Sequence, residues 1–253
     1  MKEEIKYTPY YNWKEFKIIK EEDKKYFVFH NLLLELNKDG YIPKAGLLFE
    51  EVLQEKCKGK KVLDLGCGPL GILGMIAMFY GAKEVLSVDI DDSCIQWLNY
   101  VIKENNLIVI NTMNSNFFEK INQTEKFDII LSNPPHMPML KGKLCDSGGE
   151  DGKKYIYQIL KDGYNYLNTG GELNIMMFDF LGIKESYNND ISIYEFSKRI
   201  GYRECEVIFE IDKLITEGSV TYECLSYIKQ IYPKYFFDKN NPKCKIVIVQ
   251  FKK

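Results

Sequence analysis

Hydrophobic and polar positions change period repeatedly along the chain from residue 44 onward. Short apolar runs typical of buried strands alternate with longer stretches in which apolar residues recur at helical spacing. Strands are predicted at Lys61–Leu65, Glu84–Asp89, Ile108–Met113, Phe127–Ser132, Glu172–Phe178, Tyr202–Ile211 and Cys244–Phe251. Helices are predicted at Lys44–Lys56, Gly71–Tyr80, Ser93–Asn106, Asp151–Leu167 and Ile193–Ile200. This alternation predicts an α/β fold with a Rossmann-like, doubly wound sheet of seven mainly parallel strands, the last strand being antiparallel.

The pattern divides the chain into an N-terminal extension, residues 1–40, and a main domain, residues 41–253. The extension is rich in charged and aromatic residues and has no regular period. An insertion at about residues 213–243 precedes the last strand and contains an amphipathic stretch, Thr221–Ile231. Neither a leader pattern at Met1–Tyr10 nor a long apolar run is present. We therefore expect a cytoplasmic protein that does not associate with membranes.

A glycine-rich loop follows the first predicted strand. Gly66, Gly68 and Gly71 have the spacing Gly-x-Gly-x-x-Gly, and an apolar helical run comes next. Glycines in such a loop let the backbone approach a ligand closely. Further along, the second strand ends in Asp89, which is placed to accept hydrogen bonds from ribose hydroxyls, and Ile90 follows it. The loop and this strand end together predict a cofactor that contains a nucleoside.

Asp64 indicates which cofactor this is. It lies near the end of the first strand, two residues before Gly66. A carboxylate at this place would repel the pyrophosphate of a dinucleotide but would attract a cationic group. The aminopropyl end of S-adenosylmethionine carries an ammonium close to a sulfonium, so this cofactor suits the position. Alternatively, Asp64 is a structural acid that caps the glycine loop.

A second motif, Asn133-Pro134-Pro135-His136, directly follows the predicted strand Phe127–Ser132. The two prolines fix their own φ and favour extended geometry in the residue before each of them. The carbonyls of Asn133 and Pro134 are then available as acceptors, and the Asn133 side chain adds a further one. With the flat ring of His136, this arrangement predicts a site for a planar nitrogen. The alternative is a Pro-Pro turn that only terminates the strand.

Together, the two motifs resemble those of the class I S-adenosylmethionine-dependent methyltransferases, in the branch with an Asn-Pro-Pro-aromatic motif. The likeness extends over about Tyr41–Asp179 and is closest to the release-factor glutamine methyltransferases and related small methyltransferase domains. Two further segments, Cys145–Gly152 and Asn168–Leu173, also resemble the pattern of that group. The resemblance implies an enzyme that methylates a planar nitrogen, such as a glutamine side-chain amide or an exocyclic amine of adenine or guanine in RNA or DNA.

The resemblance also implies roles for individual residues. The acceptor side of the site would comprise Asn133, Pro134, Pro135 and His136. Asn133 would also lie next to the cofactor, whose adenine amine would donate a hydrogen bond to Asn116. Phe117 would pack on the adenine ring. The remaining cofactor contacts would come from Asp64, Gly66, Gly68, Asp89 and Ile90.

Four departures from the family pattern leave the substrate open. His136 stands where the family usually has Tyr, Phe or Trp, so stacking would be weaker and a polar contact becomes available. Asn116 stands where the family tends to place an acid. The release-factor enzymes carry a Thr-Glu that is missing from Tyr41–Gly46, and a helical domain for which residues 1–40 are too short. The missing domain weakens the case for a release-factor substrate.

Composition and charge narrow the function classes only slightly. The formal net charge of −2 and the pI near 5.9 argue mildly against an extended nucleic-acid surface. Seven scattered cysteines without a Cys-x-x-Cys pair, and only two histidines, predict neither disulfides nor a metal site. Cys67, within the glycine loop, is predicted to be a small buried residue rather than a nucleophile.

We therefore predict an S-adenosylmethionine-dependent N-methyltransferase that acts on a protein amide or a small molecule, with an RNA or DNA base as the alternative acceptor. Two other classes remain open. A non-catalytic cofactor-binding partner of another methyltransferase would not need the intact Asn-Pro-Pro motif. A nicotinamide oxidoreductase would need a catalytic Tyr-x-x-x-Lys arrangement, which is not found in a fitting place.

Overall fold

The computed structural model describes residues 2–7, 14–42, 44–143 and 145–253. Residue 1 and residues 8–13 of the predicted N-terminal extension therefore lie outside the described part of the chain. The segment Met1–Tyr10, in which no leader pattern is expected, is for the same reason described only in part. The chain forms two compact units with a boundary after Glu119.

The first unit begins with a four-stranded antiparallel sheet, which the hydrophobic pattern does not predict. Its strands pair in chain order and are β1 (Lys2–Tyr7), β2 (Phe16–Glu21), β3 (Lys24–Phe29) and β4 (Leu32–Glu35). Loops of two residues join β2 to β3 and β3 to β4. The first residue of each loop has a positive φ, 55° at Glu22 and 50° at His30. Glycine usually occupies such a position, so these turns lack the common sequence signal.

The predicted helix Lys44–Lys56 is confirmed in its middle part, but it is shorter than expected and only partly α-helical. A short 3-10 helix, Gly46–Phe49, is followed by a single α-helical turn, α1 (Glu50–Leu53). No side chain caps the start of either element. Without a cap, the first N–H groups have no side-chain acceptor, and the Leu48 N–H donates to the Ala45 carbonyl oxygen, three residues earlier, in the tighter 3-10 pattern (3.0 Å).

The rest of the first unit is a parallel β-α-β-α-β segment. Its elements are β5 (Lys61–Leu65), α2 (Ile72–Phe79), β6 (Glu84–Asp89), α3 (Asp92–Glu104) and β7 (Ile110–Asn114). Strands β5 and β6 have the predicted bounds, and both β5–β6 and β6–β7 pair in parallel. Helix α3 is amphipathic: it buries Ile95, Leu98 and Val101 on one face. The Asp91 side chain caps its start by accepting from the Ser93 N–H (2.8 Å).

Side chains attach the small antiparallel sheet to the helices of its own unit. The indole Nε1–H of Trp97 on α3 donates to the Glu35 carbonyl oxygen (3.0 Å), and the Tyr100 hydroxyl donates to Glu35 Oε2 (2.9 Å). The ring of His30 stacks on Phe79 at the end of α2, with ring centroids 3.5 Å apart. The N-terminal sheet is thus an integral part of this unit.

The second unit supplies four more strands. Its elements are β8 (Phe127–Ser132), α4 (Lys154–Tyr166), β9 (Leu167–Phe178), α5 (Ile193–Ile200), β10 (Glu204–Leu214), α6 (Val220–Glu223), α7 (Leu225–Ile231) and β11 (Lys243–Lys252). The predicted bounds of β8 and α5 are confirmed, and the predicted amphipathic stretch forms α6 and α7. Strands β8 and β9 are parallel, whereas β11 is antiparallel to both β9 and β10. Strands β8, β9 and β10 therefore run in one direction and end at the same edge.

The larger sheet has the strand order β10-β11-β9-β8-β5-β6-β7. This confirms the predicted α/β fold, with seven mainly parallel strands and an antiparallel last strand. In open α/β sheets, ligands bind beyond the carboxyl ends of the strands. Asp64 and Asp89 lie at the carboxyl ends of β5 and β6, and Asn133 directly follows β8. None of the described helices has the length and apolar character that crossing a bilayer requires.

Candidate functional site

The glycine-rich loop lies between β5 and α2. Gly66 and Gly68 have positive φ, 79° and 62°, and a Cβ placed on either would meet no atom within 4 Å. The backbone here borders open space, as a loop that receives a ligand requires. The N–H groups of Gly66 and Cys67 donate to the Val88 carbonyl oxygen (2.8 and 3.0 Å), which holds the loop against β6. Burial raises the pKa of the Cys67 thiol well above its ordinary value, so this residue stays a neutral thiol.

Asp64 is fully buried (0% exposed) near the end of β5. Its Oδ2 accepts a hydrogen bond from the N–H of Gly74 in α2 (2.9 Å), whereas Oδ1 has no hydrogen-bond partner among the described residues. Burial raises the pKa of this carboxyl to about 7, and the charge of Asp89 adds to the effect. The bond to Gly74 is structural. The second oxygen still requires a donor, which either the nearby Ser87 hydroxyl or a cationic ligand group could supply.

Gly74 is a site residue that the sequence analysis does not identify. A Cβ at this position would lie 2.8 Å from the Ser87 hydroxyl oxygen and 3.2 Å from Asp64 Oδ2. Only a residue without a side chain therefore lets the helix backbone reach the buried carboxylate. The sequence signal is a glycine within an apolar helical run, which otherwise lowers helix stability.

Asp89 connects the glycine loop to the start of α3. Its Oδ2 accepts from the Gly68 N–H (2.7 Å) and its Oδ1 accepts from the Asp91 N–H (2.9 Å). The side chain is only partly buried. Because an ionised carboxylate has about four lone-pair sites, each oxygen keeps capacity for a further donor. Two adjacent hydroxyls of a ribose fit this capacity.

The residues that follow β6 and β7 offer apolar surface and one amide. Ile90 is 68% exposed, and Asn114 Nδ2 donates to its carbonyl oxygen (2.9 Å). Phe117 has a φ of 47°, which is uncommon for a bulky side chain and is often found at ligand sites. Asn116 Nδ2 donates to Glu119 Oε1 (2.6 Å), so its Oδ1 remains as an acceptor. These groups fit the flat, amine-bearing ring of an adenine.

In the second unit, the Asn133-Pro134-Pro135-His136 turn follows β8 without regular structure. Pro134 is buried, whereas Asn133, Pro135 and His136 are partly exposed. Among the described residues, no hydrogen bond engages the Asn133 side chain. Its amide thus presents one acceptor oxygen and two donor hydrogens at the end of the strand.

His136 makes a hydrogen bond within the turn itself. Its Nδ1 lies 2.6 Å from the Pro134 carbonyl oxygen. Because a carbonyl only accepts, Nδ1 carries the hydrogen and Nε2 carries the lone pair. Burial lowers the pKa of His136 to about 4, although the bond to Pro134 acts in the opposite direction. The Pro134 carbonyl, expected from sequence to be available, is therefore partly occupied and keeps one lone pair.

Three residues that the sequence analysis assigns no individual role support His136. Its ring contacts the Phe178 ring at the end of β9 at a steep angle, with centroids 4.7 Å apart. Gly148 and Gly152 pack against its backbone, because a Cβ at Gly148 would lie 2.6 Å from the His136 Cα and one at Gly152 would lie 2.6 Å from its carbonyl oxygen. The glycines of Cys145–Gly152 thus make room for the turn.

The predicted site residues form two groups, one in each unit. The first unit holds Asp64, Gly66, Gly68, Asp89, Ile90, Asn116 and Phe117, and the second holds Asn133, Pro134, Pro135 and His136. The unpartnered Asp64 oxygen and the open space at the glycine loop fit the ammonium and nucleoside of S-adenosylmethionine. Within the ranges that the structure describes, no three His, Cys, Asp or Glu side chains cluster as metal ligands.

The chain is similar to proteins with known family assignments. The family model of the methyltransferase small domain matches residues 40–202. A provisionally named protein N5-glutamine methyltransferase of Methanocaldococcus jannaschii is 34% identical over 141 residues, which cover 52% of this chain and 68% of that protein. The release factor glutamine methyltransferase of Francisella tularensis is 26% identical over 167 residues, which cover 59% of this chain and 58% of the relative.

A solved structure has the same fold. The 16S rRNA N2 G1207 methyltransferase of Thermus thermophilus, in complex with AdoMet and guanosine, superposes with a TM-score of 0.50. The alignment covers 100% of this chain and 50% of that chain, at 18% identity. At this identity the likeness concerns the fold alone.

Proposed function

Since this chain belongs to the methyltransferase small domain family, we propose that it methylates a planar amide nitrogen, with the glutamine side chain of a protein as the preferred acceptor. That it is a methyltransferase with S-adenosylmethionine as cofactor follows from the family match and the relatives. The observation that carries the choice of a planar nitrogen is the Asn133–His136 turn. It presents a side-chain amide and a rigid carbonyl at the end of β8.

S-adenosylmethionine supplies, when bound, a methyl group activated by its positive sulfonium. We assign its binding to the group of residues in the first unit. Asp64 Oδ1 would accept from the ammonium, and the Asp89 oxygens would accept from the ribose hydroxyls. Asn116 Oδ1 would accept from the adenine amine, with Ile90 and Phe117 covering the ring.

The acceptor amide would be held by the turn in the second unit. Asn133 Oδ1 and the remaining lone pair of the Pro134 carbonyl would accept the two N–H bonds of the amide. With both N–H directions fixed, the nitrogen lone pair has one orientation. The same two acceptors would stabilise the positive charge that develops on nitrogen as the new N–C bond forms and the methyl–sulfur bond breaks, which leaves neutral S-adenosylhomocysteine as the second product. The methylated nitrogen is acidic, so it then releases its proton to solvent without a strong base.

His136 acts in this proposal as a positioning residue. Its Nδ1–H bond to the Pro134 carbonyl holds that oxygen in place (2.6 Å). A general base works best when its pKa is near the operating pH. Because burial lowers the pKa of His136 to about 4, the ring is a weak base at neutral pH. We therefore assign it no proton transfer.

Two acceptor classes, protein amides and nucleic-acid bases, are compatible with a planar-nitrogen site. The relatives at 34% and 26% identity are named for glutamine methylation. The rRNA enzyme shares the fold at 18% identity, and the net charge of −2 is unfavourable for a large phosphate-binding surface. These observations favour the protein amide.

The test is transfer of radiolabelled methyl from S-adenosylmethionine into an extract of the source organism. The extract is then divided into protease-sensitive, nuclease-sensitive and small-molecule fractions. We expect protease-sensitive label that mass spectrometry locates on glutamine. Nuclease-sensitive label would establish the base as acceptor instead, and label confined to small molecules would exclude a protein acceptor. Cofactor binding without any label would indicate a non-catalytic partner subunit.

A further inference from the structure

Lys213, near the carboxyl end of β10, differs from the other lysines of the paired strands β10 and β11. The other three are paired with acids on the neighbouring strand: Lys243 with Asp212 (2.8 Å), Lys245 with Glu210 (2.5 Å) and Lys252 with Glu204 (2.7 Å). Lys213 has no carboxylate within salt-bridge distance in the described ranges. Within the part of the chain that the structure describes, this cation therefore has no carboxylate counter-charge.

The environment of Lys213 is partly desolvated. Side chains alternate along a strand, so Lys213 lies on the opposite face of β10 from Asp212. On that face its Nζ donates to the hydroxyl of the buried Thr221 (3.1 Å) and lies 5.9 Å from the centroid of the Phe178 ring. Burial lowers the pKa of this ammonium. A desolvated cation with one neutral hydrogen-bond partner favours binding an anion.

Lys213 lies at the same edge of the sheet as the Asn133–His136 turn. Strands β8, β9 and β10 end at the same edge, with Asn133 after β8, Phe178 ending β9 and Lys213 near the end of β10. The Phe178 ring contacts the His136 ring, at 4.7 Å between centroids, and also lies close to the Lys213 ammonium. One aromatic ring thus contacts both the turn and the cation.

We propose that Lys213 binds a carboxylate of the acceptor substrate. The inference depends on the proposed function, because it takes the Asn133–His136 turn as the acceptor site. It restricts the substrate class to amides that have an acidic group nearby, such as an acidic side chain or a chain end beside the methylated glutamine. A phosphate of a nucleic acid fits less well, because such ligands are commonly held by several cations and the formal net charge of the chain is −2.

The first experiment measures anion binding without methyl transfer. The methyl resonance of Thr221, assigned with a Thr221→Ser variant, is followed by NMR while acetate or inorganic phosphate is added at constant ionic strength. We expect a saturable shift with acetate in the wild type, none in Lys213→Gln, and a normal shift in the matched control Lys243→Gln. No shift in the wild type, or an equal shift in Lys213→Gln, would overturn the proposal. A shift with phosphate but not acetate would overturn the choice of carboxylate.

The second experiment uses the protein fraction of the cell extract that the wild type labels. We expect Lys213→Gln to raise KM for this fraction about tenfold or more, the equivalent of about 1.4 kcal/mol, with little change in kcat. Lys213→Arg should recover part of the affinity, and Lys243→Gln should behave as wild type. An unchanged KM in Lys213→Gln would contradict the proposal. Stabilisation by S-adenosylhomocysteine confirms that each variant is folded. Because the NMR titration requires no turnover, it tests anion binding at Lys213 even if the protein does not catalyse the proposed reaction.

Discussion

Asp64 is a buried acid, and its two oxygens differ in their hydrogen bonding. One oxygen stabilises the fold by accepting from the Gly74 N–H, and the other has no partner within the described residues. An unpartnered buried oxygen costs free energy, and the raised pKa, about 7, is a consequence of that cost. In the proposed function, this loss of stability in the ligand-free protein is offset when the ammonium of the cofactor binds.

Asp64→Asn should separate the effect of this acid on the stability of the ligand-free protein from its effect on cofactor affinity. The folded pKa of about 7 lies above the ordinary 3.8, so the folded state retains the proton to higher pH. The stability contributed by this group is thus complete below about pH 4 and is lost as pH rises through about 7. We expect the variant to have the higher Tm at about pH 8, with a smaller difference at about pH 5. Its affinity for S-adenosylhomocysteine should fall roughly tenfold or more, because a charged hydrogen bond is lost.

Thermal denaturation at the two pH values and calorimetric titration test this prediction. Unchanged affinity for S-adenosylhomocysteine would mean that Asp64 only caps the glycine loop.

Asn133→Ala should reduce methyl transfer while leaving the cofactor affinity unchanged. The substitution removes the acceptor for one substrate N–H, and a desolvated N–H without a partner costs roughly 1–3 kcal/mol. We expect kcat/KM to fall about tenfold to a hundredfold, measured with the labelled extract fraction. Asn122→Ala, in an exposed loop, is the matched control and should retain activity. Full activity of Asn133→Ala would disprove the role assigned to this amide.

Sequence predicts those residues of the candidate site whose positions are set by their neighbours in the chain. It does not predict the residues that reach the site through the pairing of distant strands. The turn at Asn133 and the acid at Asp64 could be predicted because neighbouring residues define their positions. Phe178 and Lys213 could not, because the contact of Phe178 with the turn, and that of Lys213 with Phe178, depend on how β9 and β10 pair with β11. The hydrogen bond that occupies the Pro134 carbonyl depends on the orientation of the His136 ring, which no sequence pattern specifies.

Among the elements, buried strands were the most predictable. Strands β5, β6 and β8 have the expected bounds because their continuous apolar runs are bordered by turn residues. The N-terminal sheet was missed, because its tight turns contain Glu22 and His30 where glycine would give a signal. The helix predicted at Lys44–Lys56 is limited to residues 46–53, because apolar spacing alone, without capping side chains, does not sustain a longer helix.

Glu22→Gly should stabilise the hairpin of β2 and β3. Glu22 has a φ of 55°, a conformation that costs about 1–2 kcal/mol for an L-residue with a Cβ and little for glycine. Part of this gain is offset because glycine is more flexible in the unfolded chain. We expect the free energy of unfolding to rise by several tenths of a kcal/mol to about 1 kcal/mol, as measured by urea denaturation. Asp23→Gly, next to it in the same loop, should be neutral or destabilising.

A gain in Asp23→Gly as large as that in Glu22→Gly would show that loop flexibility, rather than positive φ, determines the effect.

At the scale of the whole molecule, the change in Tm on adding a ligand distinguishes an S-adenosylmethionine enzyme from a nicotinamide enzyme. S-adenosylhomocysteine keeps the ammonium and nucleoside that the first unit is proposed to bind. At a hundredfold excess over Kd, a ligand that binds only the folded state adds about 2.7 kcal/mol to the free energy of unfolding. We expect a clear rise in Tm with S-adenosylhomocysteine and none with NADH, whose pyrophosphate Asp64 would repel. The reverse pattern would favour a nicotinamide enzyme.

The contact between Trp97 and Glu35 gives the molecule an optical reporter. The indole donates its hydrogen to a backbone carbonyl of β4, so its surroundings are part of the interface between the small sheet and α3. The chain has two tryptophans, and substituting Trp13 by phenylalanine leaves Trp97 as the only source of indole fluorescence. Release of the N-terminal sheet would hydrate this indole and move its emission to longer wavelength while the circular dichroism of the helices persists. A fluorescence spectrum thus distinguishes local opening of that sheet from unfolding of the entire protein.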